Sequence, residues 1–182
     1  DFLRHYLDGV IQNIDGKAYG TLHLFGTLQQ LLFDGDIPVK NGKFDVDFLK
    51  TSYSFSDTVR IKKDQINFRQ ITLFDKDNNK GILNGRVSHN EAFKDIRFNL
   101  NIDCKNVLVL NTRAQDNTYF YGKAYGTGNV GISGNTEDIL FNINMRTEPN
   151  TQVFIPFDNL ETATESYFIN FINNQAKKEE VK

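Results

Sequence analysis

Three glycines in the sequence have a spacing that could hold a dinucleotide. Gly126, Gly128 and Gly131 match the pattern G-x-G-x-x-G, which binds a pyrophosphate when a helix begins directly after the glycines. The next residues, 132–135, read Ile-Ser-Gly-Asn and cannot begin a convincing helix. We therefore expect these glycines to lie in a twisted or bulged strand.

A second candidate site resembles the start of a calcium-binding loop. Asp75, Asp77 and Asn79 alternate along the chain as the first ligands of such a loop do. That loop also needs a glycine at its sixth position and a glutamate at its twelfth. Lys80 and Arg86 hold these positions here, so the segment favours a hairpin turn in solvent.

Two pairs of aspartates could in principle hold a cation or exchange a proton. The pairs are Asp34 with Asp36, and Asp45 with Asp47. Residues that are two apart on a strand lie on the same face of the sheet. Since the second pair alternates with apolar residues, we favour a charged face in water over a binding site.

The histidines and the cysteine offer no recognisable site. His5, His23 and His89 are scattered, and a zinc site needs ligands at characteristic spacing. Cys104 would need a histidine base close in space to act as a nucleophile. It lies at the end of an alternating run, so an inert strand residue is favoured. We therefore predict a protein that is not an enzyme, with no metal, no cofactor and no catalytic residue.

The composition excludes some partners and favours β-structure. The 21 basic and 23 acidic residues give a net charge of -2, which offers no reason to expect nucleic acid as a partner. The 16 Phe and 7 Tyr residues favour pleated, half-buried surfaces. No run of about 18 apolar residues occurs, so no helix of this sequence would span a bilayer. One cysteine cannot form an internal disulfide.

Three segments alternate apolar and polar residues with a period of two. Successive side chains of a strand point to opposite faces, so each segment has one apolar face and one polar face. This pattern is typical of an antiparallel sheet with one side in water. The apolar residues of these segments, which are candidates for the lining of a shared groove, are Phe44, Val46, Phe48, Ile96, Phe98, Leu100, Ile102, Phe141, Ile143 and Met145.

Turn sequences divide the chain into roughly ten to twelve strands. Helical spacing appears only near the end, where Thr162 and Glu165 form a capping box ahead of an apolar stripe. We also expect the chain to be a fragment of a longer protein. The predicted divisions are an ambiguous lead-in over residues 1–14, a β-sheet groove domain over 15–158, a short helix over 159–175 and a charged tail over 176–182.

The sequence contains an internal repeat. Residues 16–21 and 122–127 both read Gly-Lys-Ala-Tyr-Gly-Thr. A glycine follows each copy, at Gly26 and Gly134, and an apolar run comes next, at 31–33 and 139–141. A repeated strand-turn-strand unit indicates a sheet that is extended by adding strands.

Short glycine and aromatic motifs give the chain a resemblance to a known family. It resembles the C-terminal region of TamB-type proteins, the translocation and assembly module proteins related to AsmA, in their Bacteroidetes-like branch. The resemblance covers most of residues 15–172. The segments that carry it are residues 49–55, Ile66-Asn67-Phe68, residues 75–81, Gly85-x-Val87-x-His89, Phe93-x-Asp95, Leu110-Asn111-Thr112, residues 120–128, Ile132-Ser133-Gly134, Ile155-Pro156 and residues 168–171.

The resemblance implies a long, curved antiparallel sheet folded into a taco-like groove with an apolar interior. With the short C-terminal helix that the residue pattern predicts, the expected fold class is all-β. It implies a periplasmic protein that is anchored in the inner membrane and reaches toward the outer one. It further implies transport of phospholipid and support of outer-membrane assembly with an outer-membrane barrel partner. The family has no catalytic residues to transfer to this sequence.

The apolar stripe admits other interpretations. It could be an ordinary sandwich core, or part of a scaffold whose sheet edges pair with strands of outer-membrane proteins. An outer-membrane barrel fragment would show the same alternation, although the mean hydropathy of -0.46 favours a soluble fragment. A carbohydrate-active solenoid is disfavoured because the sequence has no Trp and no convincing acid and nucleophile pair.

Overall fold

The computed structural model describes residues 11–27, 30–89 and 95–156. These residues form ten strands of one antiparallel sheet and one short 3-10 helix, Asp47–Leu49. The strands are β1 (Ile11–Ala18), β2 (His23–Thr27), β3 (Gln30–Val46), β4 (Thr51–Lys62), β5 (Gln65–Asp75), β6 (Lys80–Ser88), β7 (Arg97–Thr112), β8 (Tyr121–Asn135), β9 (Ile139–Thr147) and β10 (Gln152–Phe154).

The all-β class and the open, curved antiparallel sheet are confirmed. β1 begins at Ile11, inside the segment 1–14 whose structure the sequence left open. The predicted helix over 159–175 and the tail over 176–182 lie outside the described residues.

The sheet is an up-and-down meander. β3 to β8 follow one another in both sequence and space. Both edges consist of two short strands placed end to end. β1 and β2 pair with successive parts of β3, and β9 and β10 pair with successive parts of β8. Such local connections need no long crossover, which agrees with the short turns in the sequence.

The internal repeat corresponds to a repeated hairpin. Gly26 lies opposite Leu31 in the β2–β3 pair, as Gly134 lies opposite Ile139 in the β8–β9 pair. Two residues further from each turn, Leu24 faces Phe33 and Ile132 faces Phe141. The β2–β3 and β8–β9 hairpins therefore pair corresponding residues in the same register. Their surroundings differ, because the first begins at the sheet edge and the second in the interior strand β8.

Three alternate strands contain the same kind of β-bulge. In each, a residue other than glycine has a φ of 53–55°, and its N–H donates to a side chain of the next strand. Bulges bend a strand and increase its twist, so the three together curve the sheet. The pairs, donor first, are Asn41 with Ser56 (3.0 Å), Gln70 with Asn84 (2.9 Å) and Asn106 with Thr127 (2.8 Å).

The buried core is small and lies on one face of the sheet. Ile71, Leu73 and Leu83 form its centre. They lie on β5 and β6, the middle strands of the meander, and Ile71 is 1% exposed. The half-buried residues that pack against this centre are Phe44, Phe55, Phe68, Leu100 and Ile102.

Candidate functional site

Cross-strand pairing shows that apolar residues of β6 to β9 share one face. Residues directly opposite each other in an antiparallel pair point to the same side. Three successive rows therefore cross these four strands on one side of the sheet. The rows are Leu83–Ile102–Val130–Ile143, Gly85–Leu100–Ile132–Phe141 and Val87–Phe98–Gly134–Ile139.

The same face continues onto β3, β4 and β5. Phe44 lies opposite Tyr53, which in turn lies opposite Asp75, two residues beyond Leu73. The rings of Phe44 and Tyr53 are 5.6 Å apart, and those of Phe44 and Phe55 are 6.5 Å apart. Aromatic pairs at these distances stabilise a packed surface. We call the whole of this surface the apolar face.

Exposure of the apolar face rises toward β9. Phe98, Leu100 and Ile102 on β7 are half-buried. On β9, Phe141 is 52% exposed and Ile143 is 63% exposed. The described residues form a single sheet, and no second layer of strands among them covers these side chains. An apolar patch of this kind commonly marks an interaction surface.

Phe48 does not continue the predicted alternation. β3 ends at Val46, and Phe48 lies in the 3-10 helix that connects β3 to β4. The chain reverses there because Lys50 takes the left-handed conformation, with φ 51°. Phe48 packs edge-on against Phe120, with 6.1 Å between ring centres. The prediction that Phe44, Val46 and Phe48 belong to one strand is therefore wrong at Phe48.

The other candidates follow their predicted strands more closely. Phe44 and Val46 lie on β3, and Phe141, Ile143 and Met145 lie on β9. Phe98, Leu100 and Ile102 lie on β7, while Ile96 is buried just before that strand begins.

Sequence reasoning missed several residues of the rows, chiefly Leu83, Val130 and Ile132. In β8, glycines surround Val130 and Ile132 and interrupt the apolar alternation. In β6, Gly85 likewise interrupts the apolar alternation, because it occupies the position between Leu83 and Val87 on the same face. Treating glycine as neutral in the period-2 pattern would have revealed these positions.

The glycine pattern of residues 126–131 lies inside β8, as predicted. Gly128 has a φ of 150°, and a Cβ at this position would clash with the carbonyl oxygen of Asn144. The glycine thus allows close approach of the β9 backbone. No helix begins after it, because β8 continues to Asn135.

The calcium-like segment forms the β5–β6 turn, but its first aspartate is not in solvent. Asp75 is 4% exposed. Its carboxylate accepts the N–H groups of Asp77 (2.8 Å) and Asn79 (2.9 Å) and the side-chain amide of Asn79 (2.9 Å). It also accepts the N–H of Leu108 at 2.8 Å. These four donors satisfy the buried charge, so Asp75 is a structural anchor of the turn.

Three aspartates of the two remaining pairs bind neighbouring side chains, and the fourth, Asp36, is exposed. Asp45 accepts a hydrogen bond from Asn13 at 2.7 Å, and hydrogen bonds from Ser52 and Asn13 lower its pKa. Asp47 lies in the 3-10 helix, where it pairs with Lys50. Asp34 pairs with Lys62 at 3.0 Å. These contacts fit a charged surface.

Cys104 and Tyr53 lie in a buried region of the apolar face. Burial raises the pKa of the Cys104 thiol to about 11, and the charge of Asp103 adds to the rise. Burial also raises the pKa of Tyr53 to about 12, with further contributions from the charges of Cys104 and Asp75. Since a thiolate is the reactive form of cysteine, Cys104 is a poor nucleophile near neutral pH.

A polar cluster beside the β5–β6 turn was not predicted from the sequence. The Tyr125 hydroxyl donates to Asp77 at 2.6 Å, and Lys123 lies 4.8 Å from the centre of the Tyr125 ring. The hydrogen bond from Tyr125, followed by that from Lys76, lowers the pKa of Asp77. The cluster ties the β5–β6 turn to β8.

Within residues 11–27, 30–89 and 95–156, no three His, Cys, Asp or Glu side chains lie close enough together to hold a metal ion. The same ranges contain no helix with the length and apolar character needed to cross a bilayer.

Comparison with known proteins identifies the family. The model of the TamB C-terminal domain matches residues 69–182, which is more than half of the chain. No curated protein and no solved structure matches the chain. The family is a transport and assembly module of the cell envelope and not a known enzyme family. The matched region includes β6 to β9 and the three apolar rows. The chain therefore belongs to the TamB C-terminal domain family.

Proposed function

We propose that the apolar face holds phospholipid acyl chains and shields them from water during transport between the inner and outer membranes. The observation that carries this proposal is the set of three apolar rows on β6 to β9, which become more exposed toward β9. A structural core would bury Phe141 and Ile143. Their exposure fits side chains that acquire a partner when a ligand binds.

The expected binding energy supports a passive mechanism. Each CH₂ group that leaves water contributes about 0.8 kcal/mol. An acyl chain of about sixteen carbons would thus gain on the order of 10 kcal/mol before the cost of ordering it. No polar contact is required for this gain. The headgroup would stay in solvent at the rim, and the face would accept lipids with different headgroups.

The proposed setting is the periplasm, within a longer protein that is anchored in the inner membrane. An outer-membrane barrel would be the assembly partner at the far end. Membership of the family supports a role in a transport and assembly module, and the curved sheet supports a groove that encloses acyl chains. The residues proposed to line this groove are the candidates on β3, β7 and β9 together with Leu83, Val130 and Ile132.

A scaffold function is a second candidate, because each outer strand of the described sheet has a strand neighbour on one side only. Among the described strands β9 pairs with β8 alone, and Leu140 of this edge strand is 66% exposed. Such an edge could add a strand of a client protein. Binding of an outer-membrane strand peptide by lipid-free protein that takes up no phospholipid would support the scaffold in place of the lipid shield.

A binding assay tests the lipid proposal directly. Purified protein would be titrated with a phospholipid that carries a fluorescent acyl chain, and Phe141→Asp would be compared with wild type. A charge among the acyl chains is expected to weaken binding at least about tenfold, since burying an unpaired carboxylate is costly. Asn142→Asp is the matched control, because residue 142 is also exposed and points to the other face. Equal loss in both variants, or no binding by wild type, would contradict the proposal.

A further inference from the structure

Strand β7 extends beyond its neighbour β6. Lys105 lies opposite Lys80, the first residue of β6. Residues 106–112 therefore pair with β8 on one side and have no β6 residue on the other. Backbone groups on this free side need other partners if they are buried. We call residues 106–112 the overhang.

The overhang finds these partners on β4, on β5 and in the turn before β4. The Leu108 N–H donates to the Asp75 carboxylate at 2.8 Å, and the Tyr53 hydroxyl donates to the Leu108 carbonyl at 2.9 Å. The Asn111 side-chain amide donates to the Lys50 carbonyl at 3.3 Å. β5 and β6 separate β4 from β7 in the strand order. These bonds thus join strands that are not neighbours.

Burial distinguishes the overhang from the outer part of the apolar face on β9, where Phe141 and Ile143 are exposed. Val107, Leu108, Leu110 and Thr112 are all buried. The Asp75 carboxylate that anchors Leu108 has all its hydrogen bonds inside the protein and is itself buried. Removal of one partner of a buried, hydrogen-bonded charge is strongly destabilising. The overhang is therefore fixed at both its backbone groups and its side chains.

The following inference rests on the proposed function and specifies which part of the apolar face holds the lipid. We infer that the overhang is a strap that closes one end of the apolar face, and that Asp75 and Tyr53 hold the strap in place. Acyl chains then occupy only the part of the face that remains open, where Phe141 and Ile143 are exposed. The strap sets the length of chain that this segment can hold.

Chemical labelling of the native Cys104 tests the strap in the absence of lipid. Cys104 is buried two residues before the overhang. The rate of maleimide labelling of Cys104 would be measured in the full chain under native conditions. Tyr53→Phe removes one part-buried hydrogen bond and is expected to speed labelling about fivefold to tenfold. Asp75→Asn places an amide N–H₂ among N–H donors and is expected to speed it further.

Two controls and a denaturation measurement make the labelling decisive. Tyr119→Phe and Asp36→Asn change exposed side chains and should leave the rate unchanged. Urea denaturation gives the global unfolding constant of each variant. If the labelling rate of Cys104 rises by a larger factor than the global unfolding constant, the strap opens locally, as inferred. If the two rise equally, or labelling does not change in Tyr53→Phe, the strap is overturned. Tyr53→Phe decides the matter should Asp75→Asn fail to fold.

A photocrosslinking comparison separates this inference from the proposed function. Probes at Leu110 and at Phe141 would be exposed to phospholipid vesicles. The strap predicts lipid adducts at Phe141 alone in wild type and new adducts at Leu110 in the Tyr53→Phe background. Adducts at Leu110 in wild type would overturn the strap. Absence of adducts at Phe141 would contradict the lipid function, and the labelling of Cys104 would then decide the strap by itself.

Discussion

Ile132 of β8 lies directly opposite Phe141 of β9, yet the half-buried isoleucine faces a phenylalanine that is 52% exposed. The pair has the register of Leu24 and Phe33 in the first copy of the repeat. The hairpin thus places a large aromatic side chain on the apolar face without covering it. This exposure distinguishes the outer part of the apolar face from the buried core around Ile71.

The distinction predicts unequal costs of truncation. Phe141→Ala should lower the free energy of unfolding by only about 0.5–1 kcal/mol, because half of the side chain is already in water. Ile71→Ala, at a fully buried position, should lower it by about 2–5 kcal/mol because it leaves a cavity. Urea denaturation in the absence of lipid measures both values. A loss above about 2 kcal/mol for Phe141→Ala would show that this residue belongs to the core.

The bulge on β5 predicts an unusual effect of glycine inside a strand. Gln70 has a φ of 53°, a conformation that costs about 1–2 kcal/mol for residues other than glycine. Gln70→Gly should therefore be neutral or stabilising by up to about 1 kcal/mol. Gln70→Val, with a branched side chain in this conformation, should destabilise by about 1–2 kcal/mol. Thermal melting of the two variants checks the order, and a more stable valine variant would argue against the bulge.

The buried thiol of Cys104 and the half-buried phenol of Tyr53 predict a loss of stability at alkaline pH. The pKa values of Cys104 and Tyr53 are raised to about 11 and about 12 in the folded protein. The unfolded chain therefore releases these protons at lower pH than the folded one, and the free energy of unfolding falls as the pH rises above about 9. Urea denaturation at pH 8 and pH 10.5 measures the decline. Cys104→Ala should flatten it, and a decline of unchanged size in this variant would contradict the burial of the thiol.

Local pattern predicted part of this fold because a period of two is a local property. The alternation over Phe98–Ile102 and Phe141–Met145 identified two strands of the apolar face. The glycine and apolar run that follow each copy of the hexapeptide identified two hairpins with the same register, Gly26 opposite Leu31 and Gly134 opposite Ile139. At Phe48 the pattern failed, because alternation cannot show where a chain turns from a strand into a 3-10 helix.

Contacts between residues far apart in the chain could not be predicted from the sequence. Tyr53 and Leu108 are 55 residues apart, and their hydrogen bond depends on how far the sheet curves. The curvature depends in turn on bulges such as that at Gln70, whose residue type gives no local signal of a left-handed conformation. Asp75 accepts the N–H of the same residue, Leu108, which is 33 positions away in the sequence. Because no local pattern reveals this contact, the turn of Asp75 was expected to lie in solvent.

The most direct test of the lipid-shielding function is photocrosslinking in cells with probes on both faces of the same strands. Phe98 would be compared with Arg97 on β7, and Phe141 with Asn142 on β9, where both positions are exposed. Phospholipid adducts at residues 98 and 141, without adducts at 97 and 142, are the predicted result. Adducts of equal yield on both faces, or none at any position with normal protein levels, would contradict it.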